Sequence, residues 1–235
     1  QILGEIEKFI RPGHSVDTIL SNVYQKLILR FGQPKSLDLS GAKPHVVFFI
    51  GPTGVGKTTV SCALLRAFAA QGRKAVGMKP VVAGSEDGQW RDVEQLIAAS
   101  NISATRAHIN PYAFDPPVSP HIAAQQAGVE IDLAVIQCAY QTLRSQSDIV
   151  IVEGAGGFLV PLNVQQTGAD LVQVLNLPVI LVVGMRLGCL NHALLTEQAI
   201  RAAGLPLAGW VANCMDPQML VLAENIATLK QRLDC

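Results

Sequence analysis

Short, uninterrupted apolar runs alternate with amphipathic stretches along most of this chain, and that alternation sets its expected architecture. His45–Ile50 reads as a buried strand, Lys57–Gln71 as a helix, Lys74–Lys79 as a strand and Arg91–Ser100 as a helix. Ser119–Ala127 and Ile131–Ser145 follow as helices, Asp148–Glu153 as an Ile- and Val-rich strand, and Asp170–Leu175 as a short helix. Pro178–Gly184 and Leu207–Asn213 read as strands on either side of a helix over Asn191–Ala203. A last helix is expected from Pro217, a favourable first helical residue, to Leu233. Strands that are apolar throughout, separated by helices, predict an α/β domain whose mainly parallel sheet carries helices on both faces. Ligands of such sheets sit at the carboxyl ends of the strands.

The first 44 residues have a different texture. Val16, Ile19, Leu20, Val23, Tyr24, Leu27 and Ile28 recur at helical spacing, Ser15 can cap the run, and Gly32-Gln33-Pro34 stops it. A polar linker, Pro34–Pro44, follows. The chain thus divides into a short helical N-terminal segment with its linker, residues 1–44, and a sheet domain, residues 45–235. The apolar stripe of the first segment must be buried and is expected to dock on an edge of the sheet domain.

Composition narrows the function classes. Hydrophobic residues make up 49% and charged residues 15%, so a disordered or highly charged coiled-coil chain is excluded. Lys+Arg and Asp+Glu both number 18, which leaves no bulk charge to attract nucleic acid or an anionic membrane. Small molecules are the expected partners. The five cysteines are widely spaced, odd in number and without a C-x-x-C pair, which argues against a disulfide framework or a zinc ribbon. They fit a reducing, cytoplasmic setting. The strongest apolar run, Pro178–Gly184, is strand-sized and far short of the roughly 20 residues of a membrane span. Glu5, Glu7 and Lys8 stand where a signal peptide would be apolar, and a start at Gln1 rather than Met reads as a fragment or a processed chain.

The chemistry begins at Gly51-Pro-Thr-Gly-Val-Gly-Lys-Thr58, which matches G-x-x-x-x-G-K-[ST] between an expected strand and an expected helix. In such a P-loop the glycines let backbone N–H groups close around phosphate oxygens at a helix N-terminus. Lys57 then reaches the β- and γ-phosphates and Thr58 ligates Mg²⁺. The expected fold is accordingly P-loop NTPase-like. Glu153 ends a strand just before Gly154, and so stands either as a second Mg²⁺ ligand or as a solvated strand end. Lys79, before Pro80, is either a second cation for the γ-phosphate or an exposed loop lysine. Asp92 opens a helix as a dipole partner or a metal ligand.

From about Val60 onward the chain closely resembles the dethiobiotin synthetase family. The resemblance is carried by Ser61-Cys-Ala-Leu-Leu65, Lys79-Pro-Val81, Asn110-Pro-Tyr112 and Ser119-Pro-His121, and continues through Val152-Glu-Gly-Ala-Gly-Gly157 and Pro178-Val-Ile-Leu-Val-Val-Gly184. Leu187-Gly-Cys-Leu-Asn-His-Ala193 and Gly209-Trp-Val-Ala-Asn213 complete it. The resemblance implies a homodimeric ATP-dependent ligase with Mg²⁺ as cofactor, converting 7,8-diaminopelargonic acid and CO₂ to dethiobiotin through a phosphorylated carbamate. It makes Lys79 and Lys57 catalytic. It assigns ATP to Gly54, Val55, Gly56, Lys57, Thr58 and Thr59, to Asp92, Glu153, Gly154, Ala155 and Gly156, and to Asn213 and Cys214, with Asn213 reading the adenine edge. Thr58, Asp92 and Glu153 would hold the metal. Ala83 and the helix-start amides of Cys189, Leu190 and Asn191 would touch the diamine substrate, the amides through its carboxylate. His121 and His192 fall in family segments without a chemical role.

The chain also departs from that pattern. The family loop reads Gly-Thr-Asp-Thr, one small or acidic residue, then Val-Gly-Lys-Thr, whereas this loop is one residue shorter and lacks the Asp-Thr pair. Ala83 replaces a frequent Ser or Thr, Cys214 a frequent Asp, and the chain stops at Cys235, before the family's last strand and adenine loop. Ile2-Leu-Gly-Glu-Ile-Glu7, Val23-Tyr-Gln-Lys26, Gly32-Gln-Pro-Lys35 and Phe48–Thr59 instead resemble a flagellar signal-recognition-particle-type GTPase, so two resemblances meet at Lys57–Thr59. The alternatives to the ligase are therefore a GTPase of that type and an inactive nucleotide-binding chimera. A GTPase would need Asp-Thr-Ala-Gly and Thr-Lys-x-Asp, and neither occurs after Thr59. Deleting residues 1–40 is expected to leave a cooperatively melting domain, and loss of that melt would place the N-terminal helices in its core.

Overall fold

The computed structural model describes residues 45–215 and 218–233. The helical segment and linker expected over residues 1–44, and Pro217, lie outside the described residues. Among the described residues seven strands and eight helices follow one another: β1 (His45–Ile50), α1 (Lys57–Ala70), β2 (Ala75–Met78), β3 (Val81–Ala83), α2 (Arg91–Ala99), α3 (Arg106–Ile109) and β4 (Tyr112–Phe114). Then come α4 (Pro120–Gln126), α5 (Leu133–Gln146), β5 (Ile149–Glu153), α6 (Gly168–Leu175), β6 (Val179–Gly184), α7 (Cys189–Ala202), β7 (Leu207–Asn213) and α8 (Leu222–Arg232). The main sheet is wholly parallel, in the order β2-β5-β1-β6-β7.

Strand alternation explains the two-sided burial. Val47 and Phe49 of β1, Ile149 and Ile151 of β5 and Ile180 and Val182 of β6 join Cys62, Leu65 and Phe68 of α1 and Leu96 of α2. The intervening Phe48, Ile50, Val150, Val152, Val179 and Leu181 join Ile136, Tyr140 and Leu143 of α5 and Leu171 and Val172 of α6. Successive side chains point to opposite faces, so a strand buried on both sides must be apolar at every position. That is why these strands read as continuous runs.

The differences from expectation lie at the ends and in short pieces. β3 and β4 form a separate two-stranded parallel sheet, and α3 directly precedes β4. Three residues per strand are too few to carry a period. Helix α6 starts at Gly168 rather than Asp170, because Asp170 is its third residue and its carboxylate accepts from the N–H and hydroxyl of Thr167 at 2.6 and 2.7 Å. The last helix begins at Leu222, after Val221 in left-handed backbone (φ 51°), and residues 218–221 before it are not helical. Among the described residues no helix is long and apolar enough to cross a membrane.

Ile151 is fully buried at the centre of the sheet, opposite Val47 and Gly77. Ile151→Ala is expected to lower the unfolding free energy by about 2–5 kcal/mol, read from the shift of a urea transition at unchanged slope.

Candidate active site

Strand register places the chemistry. Met78 lies opposite Val152 and Phe49 opposite Glu153. Lys79, just past β2, Glu153, the last residue of β5, and the loop leaving β1 therefore end side by side at the sheet's carboxyl edge. The loop itself depends on glycine at two points. Gly54 and Gly56 have φ of 75° and 79°, a region L side chains rarely adopt, and Gly56 caps α1 so that Lys57 and Thr58 open it.

Lys79 is 4% exposed and Glu153 fully buried, which removes both the loop-lysine and the solvated-strand-end alternatives. Lys79 Nζ donates to Glu153 Oε1 at 2.6 Å, to Asp92 Oδ2 at 3.1 Å and to the Gly154 carbonyl at 3.4 Å. Burial opposes its charge, but the two carboxylates outweigh burial and raise its pKa. Lys79 is thus a fixed cation and cannot serve as a general base near neutral pH. Asp92, in the first turn of α2, is affected in the converse way. Burial works against its ionisation, yet Lys79, the Thr58 hydroxyl and Lys57 hold its pKa below the ordinary carboxylate value.

Lys57 Nζ turns back on the loop, donating to the carbonyls of Gly51 at 2.8 Å and Pro52 at 3.1 Å. Burial and then the neighbouring Lys79 charge lower its pKa from 10.5 to about 8. Thr58 Oγ1 donates to Glu153 Oε1 at 2.9 Å. Glu153 Oε2 is buried without a hydrogen-bond partner. That orphan oxygen, the Thr58 hydroxyl and the half-exposed Asp92 carboxylate form an all-oxygen donor set of the kind Mg²⁺ takes. Among the described residues no cluster of three His, Cys, Asp or Glu side chains stands ready for a metal. An ion in this oxygen set would complete its shell with phosphate oxygens and water, as Mg²⁺ does.

Gly154, Ala155 and Gly156 follow β5 and line a small cavity with Phe48, Ile50 and Pro80, next to Lys79. Ala83 ends β3 opposite Phe114 and can offer only a methyl group. Asn213 ends β7, where its Nδ2 donates to the Val55 carbonyl of the phosphate loop at 2.8 Å, and Cys214 follows it. Cys189, Leu190 and Asn191 do begin a helix, α7, capped by Gly188. The Cys189 N–H, however, donates to the Arg186 carbonyl at 3.0 Å, so it is already engaged within the chain. The structure brings Lys57, Thr58, Lys79, Asp92 and Glu153 into one cluster. It leaves α7's start beyond β6, on the far side of the loop.

One residue without an expected role proves structural to the site. Asn110 is 5% exposed, and its Nδ2 donates to the Lys79 carbonyl at 2.6 Å and the Tyr112 carbonyl at 3.1 Å, while the Lys79 N–H donates to Ile109 at 2.8 Å. The backbone that aims Lys79 is held from both sides. Its sequence signal was the Asn110-Pro-Tyr112 segment, whose partner thirty-odd residues upstream no local pattern identifies.

A P-loop at the head of a parallel sheet, faced by a buried lysine and two carboxylates, defines a nucleoside-triphosphate-using enzyme of the P-loop class. A family model described as "AAA domain" matches residues 47–234, and the chain belongs to that family. The kinase domain of Escherichia coli tyrosine kinase ETK shares the fold, with a TM-score of 0.50 at 15% identity over 88% of this chain and 78% of that one. The chain is 67% identical over 183 residues to the ATP-dependent dethiobiotin synthetase BioD of Nitrosospira multiformis, covering 78% of this chain and 81% of that protein. It is 54% identical over 197 residues to the ATP-dependent dethiobiotin synthetase BioD of Aromatoleum aromaticum, covering 82% and 88%. The chain belongs to the ATP-dependent dethiobiotin synthetases, the ligases that form dethiobiotin in biotin biosynthesis. The GTPase alternative is not favoured.

The Lys57 environment generates a proton-linkage prediction. Above pH 8 much of Lys57 is uncharged in the free protein, whereas bound triphosphate favours its charged form. Nucleotide binding at pH 9 should therefore take up close to one proton, falling toward zero by pH 7. Calorimetry in two buffers of different ionisation enthalpy measures this uptake, and Lys57→Met should abolish it.

Proposed function

We propose that this chain forms dethiobiotin from 7,8-diaminopelargonic acid and CO₂ at the carboxyl edge of β2, β5 and β1, through a carbamate phosphorylated by ATP. The observation that carries this reading is the Lys79 ammonium, buried between Glu153 and Asp92 beside the P-loop. One amine of the substrate adds to CO₂ and loses a proton, giving a carbamate. A carbamate oxygen attacks the γ-phosphorus and ADP leaves. The neighbouring amine then attacks the carbamoyl carbon, phosphate leaves, and the ureido ring closes.

Each residue has a part in that sequence. Lys79, held charged, donates to the carbamate and γ-phosphate oxygens as negative charge moves between them. Lys57 exchanges the loop carbonyls for the β- and γ-phosphates, and the loop amides from Gly54 to Thr59 cradle them. Thr58, Asp92 and Glu153 would hold Mg²⁺, which would supply charge neutralisation to the triphosphate. Gly154, Ala155 and Gly156 let the nucleotide approach the backbone closely, and Asn213 and Cys214 face the adenine. Ala83 borders the diamine.

The substrate carboxylate belongs to the start of α7, and a second copy of the chain is the natural source of that helix. β2 and β6 stand three strand spacings apart, roughly 14 Å, which separates Lys79 from its own α7. Leu187 is fully exposed beside the helix start and Leu195 is 56% exposed on it, an apolar surface suited to a homodimer interface. No argument of charge or fold favours nucleic acid or membrane partners, and the enzyme is assigned to the cytoplasm.

Lys79→Ala is expected to lower kcat by on the order of 10²–10³ with little change in KM for ATP, because Lys57 and the loop amides still hold the phosphates. Lys57→Ala should damage both parameters. Steady-state kinetics with diamine, CO₂, Mg²⁺ and ATP check this, and a Lys79→Ala enzyme that turns over like the parent removes Lys79 from the chemistry. Sedimentation velocity at micromolar concentration should show a dimer; a monomer that still turns over would defeat the shared-site arrangement.

A further inference from the structure

The side chain assigned above to adenine is engaged with the phosphate loop. Asn213 closes β7 directly opposite Gly184, the last residue of β6. Its backbone is fixed there, since its carbonyl accepts from Met185 N–H at 2.8 Å and from Met215 N–H at 3.0 Å. Its side-chain Nδ2 donates to the Val55 carbonyl at 2.8 Å, a link across 158 positions of chain. The next loop residue, Gly56, makes room for that amide, because a Cβ there would run into Nδ2. Val55's own side chain is buried against Gly184, close enough that a Cβ at 184 would meet it at 3.0 Å. The far edge of the sheet thus grips the two residues that precede Lys57.

We propose that Asn213 is a positioning residue for the phosphate loop, and that its bond to Val55 couples the base of the nucleotide to its triphosphate. The proposal rests on the adenine role given to Asn213 above. A carboxamide has two N–H donors and one acceptor oxygen. Val55 offers an acceptor only, so the amino end must face it, and the amide cannot turn over without setting oxygen against oxygen. One N–H and Oδ1 remain, the pair that matches adenine N7 and N6. Guanine presents acceptors at both positions, so the fixed Oδ1 opposes its O6. The same bond that seats the loop therefore orients the amide that distinguishes the two purines.

Inorganic tripolyphosphate, which has no base, separates the two functions. Its Mg²⁺ complex, Mg-ATP and Mg-GTP are titrated calorimetrically into the parent, Asn213→Ala and the near-isosteric Asn213→Leu, with melting curves recorded alongside. Asn213 is only partly buried, so both variants should fold, and the titrations are run well below their transitions. Tripolyphosphate affinity should fall roughly 3–10-fold in both, the effect of one hydrogen bond, and ATP affinity at least as far. The kcat at saturating ATP should fall as well, which loss of a base contact alone would not cause. Unchanged tripolyphosphate affinity with weakened ATP binding would overturn the positioning role and leave Asn213 a reader of the base. Weakened tripolyphosphate binding with an unaltered ATP-to-GTP ratio would support the positioning role and remove the adenine assignment.

Discussion

The buried pair between Lys79 and Glu153, with Nζ and Oε1 2.6 Å apart, is the interaction on which the carboxyl edge depends. Neither charge is tolerable there alone, and removing one partner of such a pair leaves the other uncompensated. Together with Asp92 and Lys57 they make a set of two cations and two carboxylates that is neutral overall. Neutrality lets four ionisable groups share a largely desolvated edge. The pair ties β2 to β5, Thr58 ties α1 to the same carboxylate, and Asn110 fixes the backbone from which Lys79 projects.

The phosphate loop is seated by contacts that come from elsewhere in the chain. Its one-residue-shorter form still closes over the head of α1, because Gly54 and Gly56 supply the left-handed backbone that the turn requires. Val55 packs into the notch left by Gly184, and Asn213 holds the Val55 carbonyl. The part of the sequence that resembles a GTPase loop is therefore held by residues from the part that resembles a ligase. Complementary glycines on both sides make that possible.

Most of the fold was legible in the chain because a parallel sheet covered on both faces imposes a strong pattern. Phe48 and Phe49, or Ile151 and Val152, face opposite helices, so both must be apolar and the strand stands out as a run. β3, β4 and α3 were not legible, since three or four residues carry no period, and they are held by backbone bonds such as that from Tyr112 to Pro80 at 3.1 Å. The last helix was placed too early because proline suits a first turn, whereas the backbone at Val221 decides where the helix begins. Of the site, the P-loop was readable from its motif alone. Glu153 and Lys79 each had an exposed alternative until burial removed it, whereas Asp92 both opens α2 and pairs with Lys79.

By itself, then, the sequence determined the layered α/β architecture, the phosphate loop and the family resemblance, because each is written in neighbouring residues or in a short period. Only the tertiary structure decided which carboxylate Lys79 pairs with, that Glu153 keeps one buried oxygen unpartnered, that Lys57 rests on its own loop, and that Asn213 reaches Val55. These contacts join residues up to 158 positions apart. Strand order and register bring them together, and both are properties of hydrogen-bonded pairs of strands that no single stretch of chain contains.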